Sequence, residues 1–363
     1  MFKSIRLGLR QTTFFLESIF QSRKLIQNPR PINLARACKF KDTRLAESIF
    51  WTKFNPIEVK ININYLNSDI DVVRWHIISP NRLAFDINMH ASNEALEPIF
   101  RRIFDLSPLF KEFHTSEYFQ CGWIDINLGD YAKKDGLAFC SNRENQILIP
   151  DIDFIITRGY DEMRLYFGSN PIPWEQKKEI LFWRGSSTGI SSSGSWKDLQ
   201  RIKLCEIASN SKNQDLFDVG LSNIIQLNKG AENEIKILGY LKDYKSIKLI
   251  NTFKYLIDVD GNSNAWSSLF LKLLSSSVVL KVESEGGYKQ WYYDRLIPWQ
   301  HYVPVDKDLS DLKEKLNWLR VNDEKAKKIA KLGKDFAFDI SFEKEFANSL
   351  SLIKNNLITS EAK

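Results

Sequence analysis

Three stretches of this 363-residue chain carry side chains whose types and spacing suit chemistry on an anionic, hydroxyl-bearing ligand. The first, YLIDVDGNSNAWS at 255–267, reads as a hydrophobic strand, a polar turn and a helix start. At the top of a parallel sheet such a unit offers free backbone N–H groups and a positive helix end, which together make a phosphate seat. Gly261 permits the tight turn. Asn262, Ser263 and Asn264 suit either a helix cap or hydrogen bonds to a sugar, and Ala265, Trp266 and Ser267 lead into the helix. The same residues would equally make a capped helix with no ligand. In the second, LFWRGSSTG at 181–189, a strand end delivers Arg184 into a loop with Gly185 and Ser186. A guanidinium is always charged and binds two phosphate oxygens at once, although arginines in such loops are commonly surface residues. In the third, WIDINLGDY at 123–131, an alternating strand ends at Gly129 and Asp130. A carboxylate there can take a proton from a hydroxyl, or simply serve the turn.

Asp69/Asp71, Asp151/Asp153 and Asp258/Asp260 share the DxD spacing that holds a divalent cation against a diphosphate, and in an extended chain each pair lies on one face. With Ile or Val between the carboxylates, each also reads as an ordinary strand end. His76, His90, His114 and His301 form no HExxH pair, and Cys38, Cys121, Cys140 and Cys205 form no CxxC, so zinc is not expected. The GxxxxGK[ST] and GxGxxG patterns are absent. The cysteine usage points to a reducing compartment.

Elements must position these residues. Strand-like runs fall at 71–78, 122–128, 147–156, 179–183, 252–259 and 277–282, and helical periodicity at 93–104, 196–208, 266–274, 309–319 and 323–338. Their alternation after residue 175 argues for α/β layers. The prolines of SNPIPW at 169–174 mark a domain boundary. Hydrophobic residues at 43%, charged at 26%, 16 Gly and 11 Pro exclude collagen-like, disordered and disulfide-scaffold classes. The length suits two domains with a cleft between them. A net charge of +6 suits a phosphate or an acidic membrane surface and does not by itself indicate nucleic acid. The N-terminal 26 residues make a poor signal peptide, with Arg6, Arg10, Arg23 and Lys24 beside Ile5, Leu9, Phe14 and Ile19 as a basic amphipathic helix that packs on its own domain or lies on a membrane. No run of 18 apolar residues predicts a spanning helix.

Taken in order, INLGDY at 126–131, FWRGSSTG at 182–189, FKYLIDVDGNSNAWS at 253–267, SSVVLK at 276–281 and LIPWQHYVPVDKDLSDL at 296–312 resemble glycosyltransferase family 90 over about residues 110–345. That family holds Rumi-type protein O-glucosyltransferases, fungal capsule-associated xylosyltransferases and bacterial lipopolysaccharide-modifying transferases. The resemblance implies an α/β fold of GT-B type, with two Rossmann-like domains facing a cleft. It implies inverting, metal-independent transfer of a hexose or pentose, glucose or xylose first, from a UDP-sugar that is a co-substrate, with no cofactor. By position it makes Asp130 the catalytic base, Arg184 the diphosphate ligand and Gly261 to Ser267 the UDP-holding loop. Residues 1–170 would bind acceptor and 171–335 donor, and a C-terminal helix within 336–363 would cross back. Eukaryotic members carry a signal peptide, disulfides and an ER-retention tail, none of which is present in this sequence. The expectation is therefore the bacterial branch, acting in the cytoplasm at the inner membrane, with lipopolysaccharide or another surface glycan as acceptor. The second Arg that some relatives carry after Arg-Gly-Ser is absent. Trp299 and His301 are read as a buried aromatic turn with a satisfied histidine rather than as cleft residues. Two competing readings remain: a non-catalytic basic protein binding membrane or nucleic acid, and a metal-dependent transferase using a DxD pair.

Overall fold

The computed structural model describes residues 31–67, 69–210 and 214–359. The basic N-terminal segment lies outside the described residues. Among them, helices α1 (Pro31–Phe40) and α2 (Thr43–Phe54) precede strands β1 (Glu58–Tyr65), β2 (Val72–Ser79) and β3 (Arg82–Asn88), and then helices α3 (Asn93–Asp105) and α4 (Ser107–Thr115). Strand β4 (Gly122–Asn127) and the short β5 (Leu137–Ala138), β6 (Cys140–Ser141) and β7 (Ile147–Leu148) follow. The first sheet runs β1-β3-β2-β4-β5-β7, with β2 antiparallel to both β3 and β4 and the other pairs parallel. It is thus mixed, where a Rossmann-like sheet is parallel throughout. Alternation along β2 decides its faces: Val73, Trp75 and Ile77 are buried in the core shared with α2, α3 and α4, whereas Arg74 and His76 point to the other side.

Helices α5 (Ile152–Ile156) and α6 (Asp161–Ser169) lead to the second sheet. The strand expected over 147–156 is interrupted, because the Asp151 side chain accepts a hydrogen bond from Phe154 N and caps α5. Strand β8 (Lys178–Ser186), helix α7 (Gln200–Ser209), β9 (Phe217–Asn223), helix α8 (Lys229–Ile237), β10 (Phe253–Asp258), helix α9 (Ser267–Leu274), β11 (Val278–Val282), β12 (Lys289–Gln290) and β13 (Val303–Val305) follow, all of these strands but β12 belonging to that sheet. The sheet is parallel in the order β13-β11-β10-β8-β9. Every residue of β10 is buried, as a central strand covered on both faces requires. The order reverses between β8 and β10, and at such a switch point the crevice beyond the strand ends receives ligands.

Met163 and Phe167 of α6 pack with Phe182 and Phe253 of the second sheet. The prolines of the 169–174 stretch end that helix without ending the domain, so the second unit begins before residue 170 and not after it. Helices α10 (Leu312–Val321), α11 (Asp323–Asp339) and α12 (Phe342–Asn355) close the chain. Leu350 and Ile353 of α12 enter the first core, and Ile358 bridges Trp123 of β4, so the C-terminal helix returns across the molecule to the first sheet. The two α/β units therefore face each other, joined in addition by the antiparallel pair β6 and β12.

Candidate active site

The loop after β4 is built by one asparagine. Asn127, 2% exposed, donates from Nδ2 to the carbonyls of Lys134 (2.8 Å) and Leu137 (3.1 Å) and accepts from the backbone N–H of Lys133 (2.9 Å) and Lys134 (3.1 Å). All four of its hydrogen-bonding positions are filled, which fixes the turn that carries Asp130. Gly129 is required there because a Cβ would overlap the Asp71 carboxylate. Arg102 of α3 donates to Leu128 O and to Asp130 Oδ1 (3.2 Å). The Asp130 side chain stays 41% exposed, reachable from the cleft.

Across the cleft, the turn after β10 meets this loop. Asn262 Nδ2 donates to Asp130 Oδ2 (3.3 Å) and Ser263 Oγ donates to Asp130 O (2.8 Å). Tyr131 packs on Tyr288 with ring centroids 5.1 Å apart, and Asn142 Nδ2 donates to Gly286 O (3.0 Å). Two of the three sequence candidates thus converge on one seam.

The helix-cap reading of 262–264 is corrected. No side chain caps α9: Asn264 Oδ1 accepts from Trp266 N (2.6 Å) and from Gln290 Nε2 (3.0 Å), a turn held inside the loop. Trp266 adopts a left-handed φ of 50° and lies beside Arg102 and Phe139. The start of α9, Ser267, lies against the Asp153 carboxyl rather than against the cleft.

Arg184 departs furthest from expectation. Its Nη2 donates to Asp218 Oδ1 (2.6 Å), Nη1 to the carbonyls of Asp218 (2.8 Å) and Trp183 (2.9 Å), and Nε to Asp243 O (3.1 Å). The guanidinium is spent at the β9 edge of the sheet, and among the described residues Arg184 does not line the cleft pocket. That pocket lies beyond the ends of β8, β10 and β11, lined among others by Gly189, Gln200, Asp260, Gly261, Ser263 and Ser284. Gly185 keeps its backbone clear of the Trp183 ring, and Ser186 Oγ lies 3.2 Å from Thr188 Oγ1.

Arg201, in the first turn of α7, is not among the lining residues either, but it adjoins two of them, Asp260 and Gly261, from behind. Nε donates to Asp260 O (2.9 Å), Nη1 to Ser186 O (3.1 Å) and Thr188 Oγ1 (2.8 Å), and Nη2 to Val259 O (3.1 Å). It binds the ends of β8 and β10 together, and burial lowers its pKa to about 10. A Cβ at Gly261 would stand 3.1 Å from both Arg201 Nη2 and Thr188 Oγ1, a tight fit that these side chains would have to yield to. Gln200 Nε2 ties the start of α7 to the carbonyls of Glu283 (2.9 Å) and Lys307 (2.8 Å). The start of α7 is uncapped by any side chain, and its Gln200 lines the pocket, which the start of α9 does not. Arg102, Gln200 and Arg201 escaped the sequence reading because each acts from a helix distant in the chain, and Asn127 because its loop contacts come from residues six to ten positions on. Asn127, next to Gly129-Asp130, carried the only local signal.

The DxD pairs differ from one another. Asp71 pairs with Lys133 (3.0 Å) and Asp151 caps α5, while Asp258 pairs with buried Lys272 (2.7 Å). Among the described residues no three His, Cys, Asp or Glu side chains converge as a metal site would require. The four cysteines are unpaired, and no described helix is long and apolar enough to cross a membrane. His301 Nδ1 accepts from Ile297 N (3.1 Å) and its ring stacks on Phe336, while Trp299 packs on Trp318; neither lines the pocket.

The sequence model described as "Glycosyl transferase family 90" matches residues 137–353. Protein O-glucosyltransferase 3 of Homo sapiens is 30% identical over 235 residues, which cover 59% of this chain and 42% of that protein. Protein O-glucosyltransferase 2 of Danio rerio is 32% identical over 229 residues, covering 58% and 42%. The chain spans about two fifths of the length of these relatives. Among solved structures, that of Anabaena HepE in complex with UDP-glucose superposes with a TM-score of 0.34 and 12% identity over 53% of this chain and 52% of that one.

Proposed function

Because this chain belongs to glycosyl transferase family 90, we propose that it transfers a sugar, glucose or xylose first, from a UDP-sugar to a hydroxyl of lipopolysaccharide or another surface glycan, inverting the anomeric centre without a metal. One observation carries the reading. Asp130, from the first half, and the 261–264 loop, from the second, meet at hydrogen-bond distance on the cleft seam.

In this mechanism the acceptor oxygen attacks C1 as the bond from C1 to the UDP oxygen breaks, through an oxocarbenium-like transition state. Asp130 takes the hydroxyl proton, held in line by Arg102 and Asn262, and releases it to solvent after transfer. The charge developing on the departing diphosphate is met at longer range by the fixed positive charge of Arg201, which grips the strand ends behind the pocket, and by the start of α7, which no side chain caps. This assigns to Arg201 the role that the resemblance gives to Arg184. Gly185 and Ser186 contribute the strand end that Arg201 grips, and Asn262, Ser263 and Asn264 the loop that closes the seam. Ala265, Trp266 and Ser267 connect that loop to α9.

The test is UDP release from a panel of UDP-sugars with a strong chelator present, comparing the native protein with Asp130→Asn and Arg201→Lys. One donor turned over by the native protein, with both variants impaired and Asp130→Asn still binding UDP, supports the reading. Turnover lost to the chelator alone overturns its metal-independent part, and no turnover of any UDP-sugar overturns the whole. The same proposal sets the enzyme in the cytoplasm, in peripheral contact with the inner membrane. Co-sedimentation with vesicles of anionic lipid tests that contact.

A further inference from the structure

The Asp258/Asp260 pair, which the mechanism leaves unused, divides into two unlike carboxylates. Asp258 is fully buried and ion-paired with Lys272 (2.7 Å), with Lys281 at 3.8 Å. Asp260, two residues on and 5% exposed, has Lys281 at 3.6 Å, and neither of its oxygens accepts a hydrogen bond. Arg201, the obvious partner, spends its Nε on the backbone oxygen of Asp260 instead. Yet Asp260 lines the cleft pocket, between Gly261 and Ser284. A buried carboxylate whose charge is answered by Lys281 but whose two oxygens accept no hydrogen bond is costly unless something supplies donors to it.

Its chemistry narrows what that is. A carboxylate accepts hydrogen bonds and repels phosphate, so in a nucleotide-sugar site it belongs beside the neutral, hydroxyl-bearing portion. Two oxygens on one rigid carbon match two hydroxyls on adjacent carbons. Resting on the donor reading above, we propose that Asp260 is a recognition residue whose carboxylate accepts hydrogen bonds from a vicinal pair of hydroxyls of the nucleotide-sugar. Asp258 and Lys272 hold it in place from below. The pair looks like a metal motif in sequence because alternation sends both side chains to the same side of β10. In the fold one carboxylate anchors the strand end and the other reads a polyol.

Titration calorimetry with UDP, 2′-deoxy-UDP, UDP-glucose and UDP-xylose, on the native protein, Asp260→Asn and Asp260→Ala, decides the matter. Hydrogen bonds to a charged group predict a loss of roughly 10- to 100-fold in affinity for the ligand that carries the recognised diol. If the diol is the ribose, the variants weaken UDP and erase its advantage over 2′-deoxy-UDP. If it is the transferred sugar, UDP binds the variants as it binds the native protein, and only the added affinity of a UDP-sugar is lost. Equal affinity of native and both variants for all four ligands overturns the proposal while leaving the donor reading intact. Failure of the native protein to bind any of them overturns both. Asp260→Asn gives up a long ion pair with Lys281, which keeps Asp258 at 3.8 Å, and is expected to melt close to the native protein. A large drop in its Tm would make Asp260 a structural residue and sink the idea.

Discussion

The two sheets treat charge in opposite ways. On the first, Arg74, His76 and Asp86 stand partly exposed on the face away from the helices, with Arg74 between the rings of Trp123 (3.5 Å) and Tyr65 (4.8 Å) and paired (2.9 Å) with a buried carboxylate, Asp125. The covered face is aromatic: Trp75, Phe54 and Phe85 all pack on Phe110. On the second sheet the charges lie inside, with Asp258, Lys272 and Lys281 beneath the strand ends and Arg201 gripping them from α7. Burial opposes ionisation of Asp258, but Lys272 and Lys281 outweigh it and hold the carboxyl below the usual range. A fixed buried charge needs no reorganisation when a diphosphate forms, whereas an open polar face can adapt to what lands on it. Under the proposed function, the difference suits a donor half that is built in advance and an acceptor half that is not.

The seam itself should give the largest effect. Asp130→Asn is expected to lower kcat by about 10²- to 10⁴-fold, the usual contribution of a positioned general base, with UDP affinity unchanged in calorimetry. A loss of UDP binding instead would put Asp130 in the donor half and blur the contrast. Next come paired substitutions that set the sheets against each other. Asp258→Ala strands Lys272, 8% exposed, and should cost about 3–5 kcal/mol in denaturant unfolding, whereas Asp86→Ala on the open face should cost about 0–1 kcal/mol. Equal costs would break the comparison.

Between the sheets lies a third environment. Burial, with Asp153 adding to it, raises the Asp151 carboxyl to about 7, and burial raises Asp105 to about 6, while Arg102 works against both Asp105 and Asp153. Tyr160 donates to Asp151 (3.0 Å). Each acid holds its proton in the folded state at pH values where the unfolded chain, titrating near 4, has lost it. Stability should therefore fall as pH rises from about 4 to about 7 and level off above. Asp151→Asn, which keeps the cap on α5, should flatten that slope by an amount on the order of 1–3 kcal/mol, read as Tm against pH. A slope unchanged in the variant would remove Asp151 from the account.

The elements around the site were legible where periodicity was strong. Strands β2, β4, β8, β10 and β11 and helices α3, α9 and α11 fall close to the runs marked by apolar spacing. Strand β1, EVKININY, was overlooked although Val59, Ile61, Ile63 and Tyr65 alternate with polar residues, and Asp151 turned an apparent strand into a capped helix. In the site, Asp130 and the 261–264 loop were visible because local turn chemistry announces them. Arg201 was not, since nothing in QRIKLCEIAS says that its first turn will face the end of β10 sixty residues on. Arg184 misled for the complementary reason: a strand end gives the residue but not which side of the sheet receives its side chain.

That last point yields the smallest expected effect and the sharpest one. Arg184, 8% exposed, joins β8 to Asp218 on β9 at the outer edge, so Arg184→Ala should cost stability of about 1–2 kcal/mol. Its effect on UDP release should stay within about threefold, because a lost edge contact acts on ground and transition states alike. Arg201→Lys keeps the charge but cannot reproduce four hydrogen bonds to both strand ends from one ammonium, and should slow turnover far more. If Arg184→Ala proves the worse variant at equal Tm, the side chain must leave Asp218 when donor binds. The edge of the second sheet would then be as adaptable as the open face of the first, and prebuilt charge would no longer distinguish the two halves.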